Sequence, residues 1–250
     1  METYGLIGFP LKHSFSAKFF TEKFRNEQLE AEYLNFEIKD IQEIHHIILL
    51  NQQLKGLNIT IPYKERVIPF LDNISEEAKK IGAVNVIQIE RRPGDKCYFR
   101  LTGYNTDYIG FRQSISPLLN TAFHRKALIL GTGGASKAVA QAFTDMQVSW
   151  HYVSRTPGVN RFTYDDLTPS IIAEHIVNAS PVGTFPEINY CPHIPYSFLT
   201  PRHLLYDLIY NPEETLFLQK GKKQGAITKN GREMLELQAL AAWEIWNDTD

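Results

Sequence analysis

Hydrophobic positions recur along this chain in two rhythms, every second residue in short runs and every third or fourth in longer ones. Residues 4–8 read as a strand closed by Gly8 and Pro10. A helix is predicted next, with Ser14 or Ser16 as its N-cap and Phe15, Phe19, Phe20 and Phe24 near helical spacing. Residues 33–38 form a second strand with Leu34, Phe36 and Ile38 on one face, and residues 41–50 a helix. Leu57, Ile59 and Ile61 alternate with Asn58 and Thr60, which predicts a strand with one polar face, ended by Pro62. Residues 83–90 and 96–102 flank a turn containing Pro93 and Gly94 and read as a hairpin. Strands alternating with helices and then a hairpin predict a mixed sheet.

The texture changes after Thr102. Asn105-Thr106-Asp107 can cap a helix running through Ile109, Phe111 and Ile115, with Pro117 near its end. Residues 126–130 form a short buried-type strand, 131–136 a glycine-rich turn, and a helix starts over 137–143. Further strands are predicted at 148–153, 176–178, 204–209 and 226–228, and a Leu- and Ala-rich helix at 231–246. This succession is that of a doubly wound nucleotide-binding domain. The expected architecture is α/β: an N-terminal mixed-sheet domain over 1–103, to which the C-terminal helix 232–250 is assigned, and a Rossmann-type, doubly wound nucleotide-binding domain over 104–231.

Composition narrows the classes of function. The 250 residues are 43% hydrophobic and 22% charged, ordinary for a globular chain with a proper core. A net charge of -2 provides no global basic field for nucleic acid or anionic lipid. Cys97 and Cys191 stand in unrelated contexts, neither in a CxxC nor in a Cys/His cluster, so no disulfide framework or zinc site is expected. No run approaches the ~18 apolar residues of a membrane span, and the N-terminus has no leader pattern. A cytoplasmic protein with a small-molecule partner is expected, as monomer or homodimer. His45 and His46 lack metal-ligand spacing, and Trp243 and Trp246 read as packing residues.

The cofactor signal is Gly131-Thr132-Gly133-Gly134-Ala135-Ser136 between strand and helix. Glycines there let the backbone approach a pyrophosphate, and the helix N-terminus offers free N–H groups. Ser136 stands where the common fingerprint has its third glycine. After the next strand the chain reads Ser154-Arg155-Thr156, with no acid to accept from a ribose 2′-hydroxyl. Arg155 suits a 2′-phosphate, and Ser154 and Thr156 add hydroxyls, so the nucleotide is NADP rather than NAD.

Three polar clusters remain. His13-Ser14-Phe15-Ser16 lies at a loop-to-helix junction, Asn58 to Lys64 at the end of a strand, and Asn105-Thr106-Asp107 at a helix start. Each alone reads as a cap or a solvated group. Together, with Gly8-Phe9-Pro10, Gly82-Ala83-Val84-Asn85, Asn178-Ala179-Ser180-Pro181-Val182-Gly183, Asp207-Leu208-Ile209-Tyr210, and Gly231, Met234 and Gln238, they resemble the shikimate dehydrogenase family almost end to end. The resemblance implies reversible, NADP-dependent reduction of 3-dehydroshikimate to shikimate, a step toward chorismate and the aromatic amino acids.

It also implies roles. Ser14 and Ser16 would hold the substrate carboxylate. Thr60, Lys64, Asn85, Asp107 and Gln238 would contact its ring oxygens, with Lys64 and Asp107 as the catalytic pair and Tyr210 beside the nicotinamide. Gly131, Gly133, Gly134, Ala135, Ser154, Arg155, Thr156, Asn178 and Gly231 would border the cofactor, and no metal is called for. The sequence departs from the family pattern at Ala17, Tyr104, Arg232-Glu233 and Glu236. The competing readings are an NAD-using quinate/shikimate dehydrogenase, another two-domain NADP enzyme such as a methylene-tetrahydrofolate dehydrogenase, and a non-catalytic NADP-binding regulator. The intact serine pair, the missing acid after the second strand, and the presence of both Lys64 and Asp107 count against them.

Overall fold

A computed structural model describes residues 1–11, 15–92, 94–95, 97–120, 122–172 and 174–248. His13 and Ser14 of the opening motif and Pro93 of the predicted turn therefore lie outside the described residues. The chain divides into two units, Met1–Thr106 with Gln238–Asp250, and Asp107–Leu237.

The first unit carries strands β1 (Glu2–Gly8), β2 (Ala31–Glu37), β3 (Leu54–Ile59), β4 (Asn73–Ile74), β5 (Val86–Arg91) and β6 (Phe99–Tyr104), with helices α1 (Phe15–Asn26), α2 (Ile44–Leu50) and α3 (Glu76–Ile81). They form one mixed sheet in the order β2-β1-β3-β5-β6-β4. β1 runs parallel to β2 and β3, while β5 is antiparallel to β3 and β6. The hairpin is thus present as β5–β6. Both faces of the sheet are covered. Ile7, Leu57, Ile59 and Ile87 pack with Ile44 and Ile48 on one side. Tyr4, Leu6 and Val86 pack with Phe20, Phe24 and Trp246 on the other. The period-two alternation along β1, with Leu6 and Ile7 in different clusters, is what lets one strand serve both.

Two-sided coverage corrects the expectation of a polar face on β3. Asn58 is only 5% exposed, because β3 is an interior strand and its polar groups must be bonded rather than solvated. The strand ends at Ile59, and Ile61 is 69% exposed. Gly56 has its place for a related reason: a Cβ there would overlap the indole of Trp246, whose Nε1 donates to the Ile87 carbonyl at 3.0 Å.

α1 begins at Phe15, the start expected if the helix follows Ser14, and Ser16 sits within its first turn. Helices differ from expectation in two other places. Residues 41–50 break into a 3₁₀ turn, Ile41–Glu43, capped by Asp40, followed by α2. α3, capped by Ser75 and closed by Gly82 at φ 70°, was not anticipated.

The second unit contains β7 (Lys126–Leu130), β8 (Ser149–Ser154), β9 (Arg161–Thr163), β10 (His175–Asn178), β11 (Leu204–Asp207) and β12 (Ile227–Lys229). Its helices are α5 (Gly134–Asp145), α6 (Leu216–Lys223) and most of α4 (Thr106–Ile115). The sheet order is β12-β11-β10-β7-β8-β9, parallel throughout. The order reverses beside β7, which is the topological switch point of a doubly wound sheet. α6 contributes Phe217 and Leu218 to one face, while Phe111 of α4 and Phe143 of α5 stack edge-on at 5.4 Å on the other. α5 begins at Gly134, three residues before the expected start, so the last part of the glycine run is helix. β9 was not anticipated. The final helix, α7 (Arg232–Asn247), contributes its residues from Gln238 onward to the first unit. Among the described residues no helix is long and apolar enough to cross a membrane.

Candidate active site

In the first unit two of the predicted substrate residues, Asn85 and Gln238, meet through one buried amide. Asn85 lies just before β5 and is buried. Its Nδ2 donates to Thr106 Oγ1 at 3.0 Å and to Gln238 Oε1 at 2.9 Å. Its Oδ1 accepts from the Thr106 backbone N–H at 2.7 Å. Asn85 therefore supplies a side-chain acceptor at the start of α4, and the Asn105 amide donates to the Ala83 carbonyl at 2.9 Å. Asp107 follows Thr106 in the first turn of α4, buried, where the helix dipole favours a carboxylate.

Lys64 is fixed through its backbone. The Tyr63 N–H donates to the Thr60 carbonyl at 2.8 Å, closing the turn after β3, and the Val84 N–H donates to the Lys64 carbonyl at 2.7 Å. The Tyr63 hydroxyl donates to the Ile38 carbonyl at 2.6 Å. Thr60 is half-buried and its N–H donates to the Ile7 carbonyl at 2.9 Å. Ser16 is half-buried in the first turn of α1. Ser14 lies outside the described residues.

In the second unit the register aligns the carboxyl ends of four strands: Leu130 pairs with Val153 and Asn178, and Asn178 with Asp207. Three loops leave from this edge. The first holds Gly131 at φ 111°, where a Cβ would also press on the Ala179 carbonyl at 3.2 Å. Gly133 is the N-cap of α5 with no side chain capping it, and a Cβ there would meet nothing within 4 Å. Ser136 is fully buried and its hydroxyl donates to the Gly133 carbonyl at 2.6 Å, filling the place of a third glycine with an internal bond. The result is an open cradle over uncapped first-turn N–H groups, with half-buried Gly134 and Ala135 at its floor, and it fits a dinucleotide pyrophosphate.

The second loop is self-bonded. Ser154 Oγ donates to the Thr156 carbonyl at 2.6 Å and accepts from the Thr156 N–H at 3.3 Å, leaving the Arg155 side chain exposed. Burial raises the Tyr164 phenol, and the positive charge of Arg155 partly offsets this.

The third loop is tied to a buried carboxylate that sequence reasoning quoted without a role. Asp207 accepts from Thr215 Oγ1 at 2.6 Å, Asn178 Nδ2 at 3.0 Å and the Ile209 N–H at 3.1 Å. Burial pushes its carboxyl up to about 6, and these three donors pull it the other way. Asn178 Oδ1 in turn accepts from the N–H and hydroxyl of Ser180, at 3.1 and 2.7 Å. Tyr210 follows β11, half-buried, its phenol raised by burial. The Gly231 N–H donates to the Ile209 carbonyl at 3.0 Å, and a Cβ at 231 would overlap the Leu208 carbonyl.

Comparison with known proteins addresses the chain as a whole. Residues 6–87 match the family model described as shikimate dehydrogenase substrate binding domain. A shikimate dehydrogenase (NADP(+)) of Carboxydothermus hydrogenoformans is 38% identical, over 97% of this chain and 90% of its own length. One from Clostridium beijerinckii is also 38% identical, over 99% and 93%. Among solved structures, shikimate dehydrogenase 1 from Peptoclostridium difficile is 38% identical with a TM-score of 0.86, covering 100% of this chain and 93% of that one.

Proposed function

This chain belongs to the shikimate dehydrogenase family, and we propose that it is an NADP-dependent oxidoreductase that interconverts 3-dehydroshikimate and shikimate, with Lys64 and Asp107 as its acid–base pair. The observation that carries the activity is the 38% identity to NADP-dependent shikimate dehydrogenases over nearly the whole chain. That activity belongs to aromatic amino-acid biosynthesis. In this reading residues 1–103 with 232–250 form the substrate domain, and 104–231 the NADP domain of a cytoplasmic enzyme.

The chemistry follows from what each residue can do. Bound NADPH supplies hydride to the ketone carbon. Negative charge then grows on the ketone oxygen, and Lys64 as an ammonium both stabilises it and donates the proton. In the oxidative direction the lysine takes the hydroxyl proton back. The Asp107 carboxylate favours the charged ammonium and orients it, and the two act as one coupled unit. Thr60, Asn85 and Gln238 hydrogen-bond ring oxygens, so an analogue lacking a hydroxyl leaves buried groups unpaired and is rejected. Ser14 and Ser16 hold the carboxylate, and Tyr210 borders the reacting carbon.

On the cofactor side, Gly131, Gly133, Gly134 and Ala135 leave room for the pyrophosphate, and Asn178 and Gly231 shape the neighbouring loops. Arg155, with Ser154 and Thr156, takes the 2′-phosphate. An enzyme adapted to NAD would be expected to carry an acid there.

The test is shikimate-dependent reduction of NADP, followed at the nicotinamide absorbance, for wild type and Lys64→Ala. Turnover in wild type that is largely lost in Lys64→Ala supports the reading. Turnover only with NAD and quinate would favour a quinate enzyme. Tight NADP binding with no turnover on any cyclohexene acid would favour a regulatory protein.

A further inference from the structure

α7 is tied to β5 at both ends of a common span, and the far tie uses Tyr104, where the sequence departs from the family pattern. At the near end Asn85, just before β5, donates to Gln238 Oε1 at 2.9 Å. The far end is built on Gln88 of β5. Its Nε2 donates to the Ile245 carbonyl at 2.8 Å and the Asp248 carbonyl at 3.2 Å. Its Oε1 accepts from the Tyr104 hydroxyl on β6 at 3.2 Å. Main-chain carbonyls only accept, so the amide has one orientation and Tyr104 is its donor. Beside it Trp246 Nε1 donates to the Ile87 carbonyl at 3.0 Å. The last four carbonyls of a helix have no partner within it, and Gln88 supplies an external donor for that of Ile245.

The two ties span the same length. From Gln238 to Ile245 the helix rises about 10 Å, and from Asn85 to Gln88 the strand side advances about 10 Å. Helix and strand therefore run side by side in one register, and α7 cannot slide along β5 without breaking bonds at both ends. Polarity at the near end is also fixed. The Thr106 backbone N–H occupies Asn85 Oδ1 at 2.7 Å, which turns Nδ2 toward Gln238 and draws Oε1 to it. Gln238 Nε2, the remaining donor, makes no hydrogen bond among the described residues.

We propose that Gln88, oriented by Tyr104, is a positioning residue for Gln238: it sets the register of α7 along β5 and so places the Gln238 Nε2 donor against a substrate ring oxygen. This rests on the reading in which Gln238 contacts the substrate. Without the Gln88 amide the Ile245 carbonyl loses its donor, and the last turn of α7 is held by the Trp246 bond alone. The helix can then shift about that point, and Gln238, about two turns away, shifts with it.

The experiment measures KM and kcat for shikimate, KM for NADP and thermal melting in wild type, Gln88→Met, Tyr104→Phe, Gln238→Met and the double variant Gln88→Met/Gln238→Met. Gln88→Met should raise KM for shikimate roughly threefold to tenfold, the scale of one neutral hydrogen bond, through KM rather than kcat and with KM for NADP unchanged. Tyr104→Phe should move the same way by less. In the Gln238→Met background, Gln88→Met should lower the melting temperature as it does in wild type yet raise KM no further. An unchanged KM in Gln238→Met removes the underlying reading and the proposal with it. A raised KM in Gln238→Met beside an unchanged one in Gln88→Met removes the proposal alone. Equal KM increments from Gln88→Met in both backgrounds, or a parallel rise in KM for NADP, would make Gln88 merely structural and overturn it. Should Gln88→Met fail to fold, Tyr104→Phe in the two backgrounds carries the same comparison.

Discussion

Asn85 donates to Gln238 across 153 positions of sequence, at 2.9 Å, and the same side chain caps the start of α4 through the Thr106 N–H. One amide thus ties the C-terminal helix to the strand and turn that lead into Asp107. Replacing Asn85 by Ala strands the Thr106 N–H, the Thr106 hydroxyl and Gln238 Oε1 in a buried site. Buried groups left unpaired cost ~1–3 kcal/mol each before relaxation, so a loss of about 3 kcal/mol is expected in urea unfolding. Asn85→Asp keeps the cap acceptor but loses both donated bonds, and it should sit between Ala and wild type. A loss in Asn85→Ala below about 1 kcal/mol would mean that other partners replace the network.

Two glycines separate a structural requirement from a cofactor requirement. A Cβ at Gly231 would overlap the Leu208 carbonyl, a main-chain group that cannot rotate away. Gly231→Ala should therefore lower the melting temperature strongly, with overpacking costing about 1–3 kcal/mol or more. A Cβ at Gly133 meets nothing within 4 Å, and its φ of -81° suits any residue. Gly133→Ala should melt like wild type yet raise KM for NADP, because the added methyl occupies the cradle. Parallel effects of the two substitutions on melting and on KM would contradict this division.

The contrast between these glycines also marks what the sequence could reveal. The loop at 131–133 was legible because it joins a strand to a helix, a context that gives glycine a meaning. Even so, Gly134 is a poor helix former and delayed the expected start of α5. Gly231 has no such local context, since its constraint comes from the backbone of residue 208. Interior strands show in the alternation, but alternation cannot tell a solvated polar face from a bonded one such as that of Asn58. β4 and β9, of two and three residues, are too short to show any period. α3 does carry a local signal, Ser75 before Glu76-Glu77 with Gly82 beyond.

Acid should destabilise the second unit through His175. It is fully buried at the start of β10, between the rings of His124 at 4.3 Å and Phe143 at 5.8 Å. Neither ring nitrogen has a partner of hydrogen-bonding geometry, and the His124 backbone only softens the effect. Burial first, then the neighbouring His124 and His203, push the imidazole down to about 4 from 6.5. The folded pKa is lower than the unfolded one. The stability His175 contributes is therefore fully present above pH 6.5 and is lost as pH falls through 6.5 toward 4. A shift of this size corresponds to something on the order of 3 kcal/mol over that window. Urea unfolding at pH 7.5 and pH 5 should show the loss in wild type. His175→Phe should flatten most of it, and an equal slope in both proteins would assign the acid sensitivity elsewhere.

Cofactor choice should turn on Arg155. Its backbone is held by the self-bonded turn of Ser154 and Thr156, while its side chain is exposed and free to meet a ligand in its planar, bidentate geometry. Removing that group costs affinity only for a nucleotide that carries a 2′-phosphate. Arg155→Ala should raise KM for NADP by roughly tenfold to a hundredfold, as expected for one or two charge-assisted bonds, and leave KM for NAD nearly unchanged. Arg155→Asp should go further, repelling the phosphate and offering an acceptor to a ribose 2′-hydroxyl, so the ratio of kcat/KM for NADP to that for NAD should fall and invert. Raising ionic strength should weaken NADP binding in wild type more than in Arg155→Ala, because the pairing is exposed to screening ions. Equal losses for both nucleotides in Arg155→Ala would instead mean that the guanidinium serves the adenine, stacking on the part the two cofactors share.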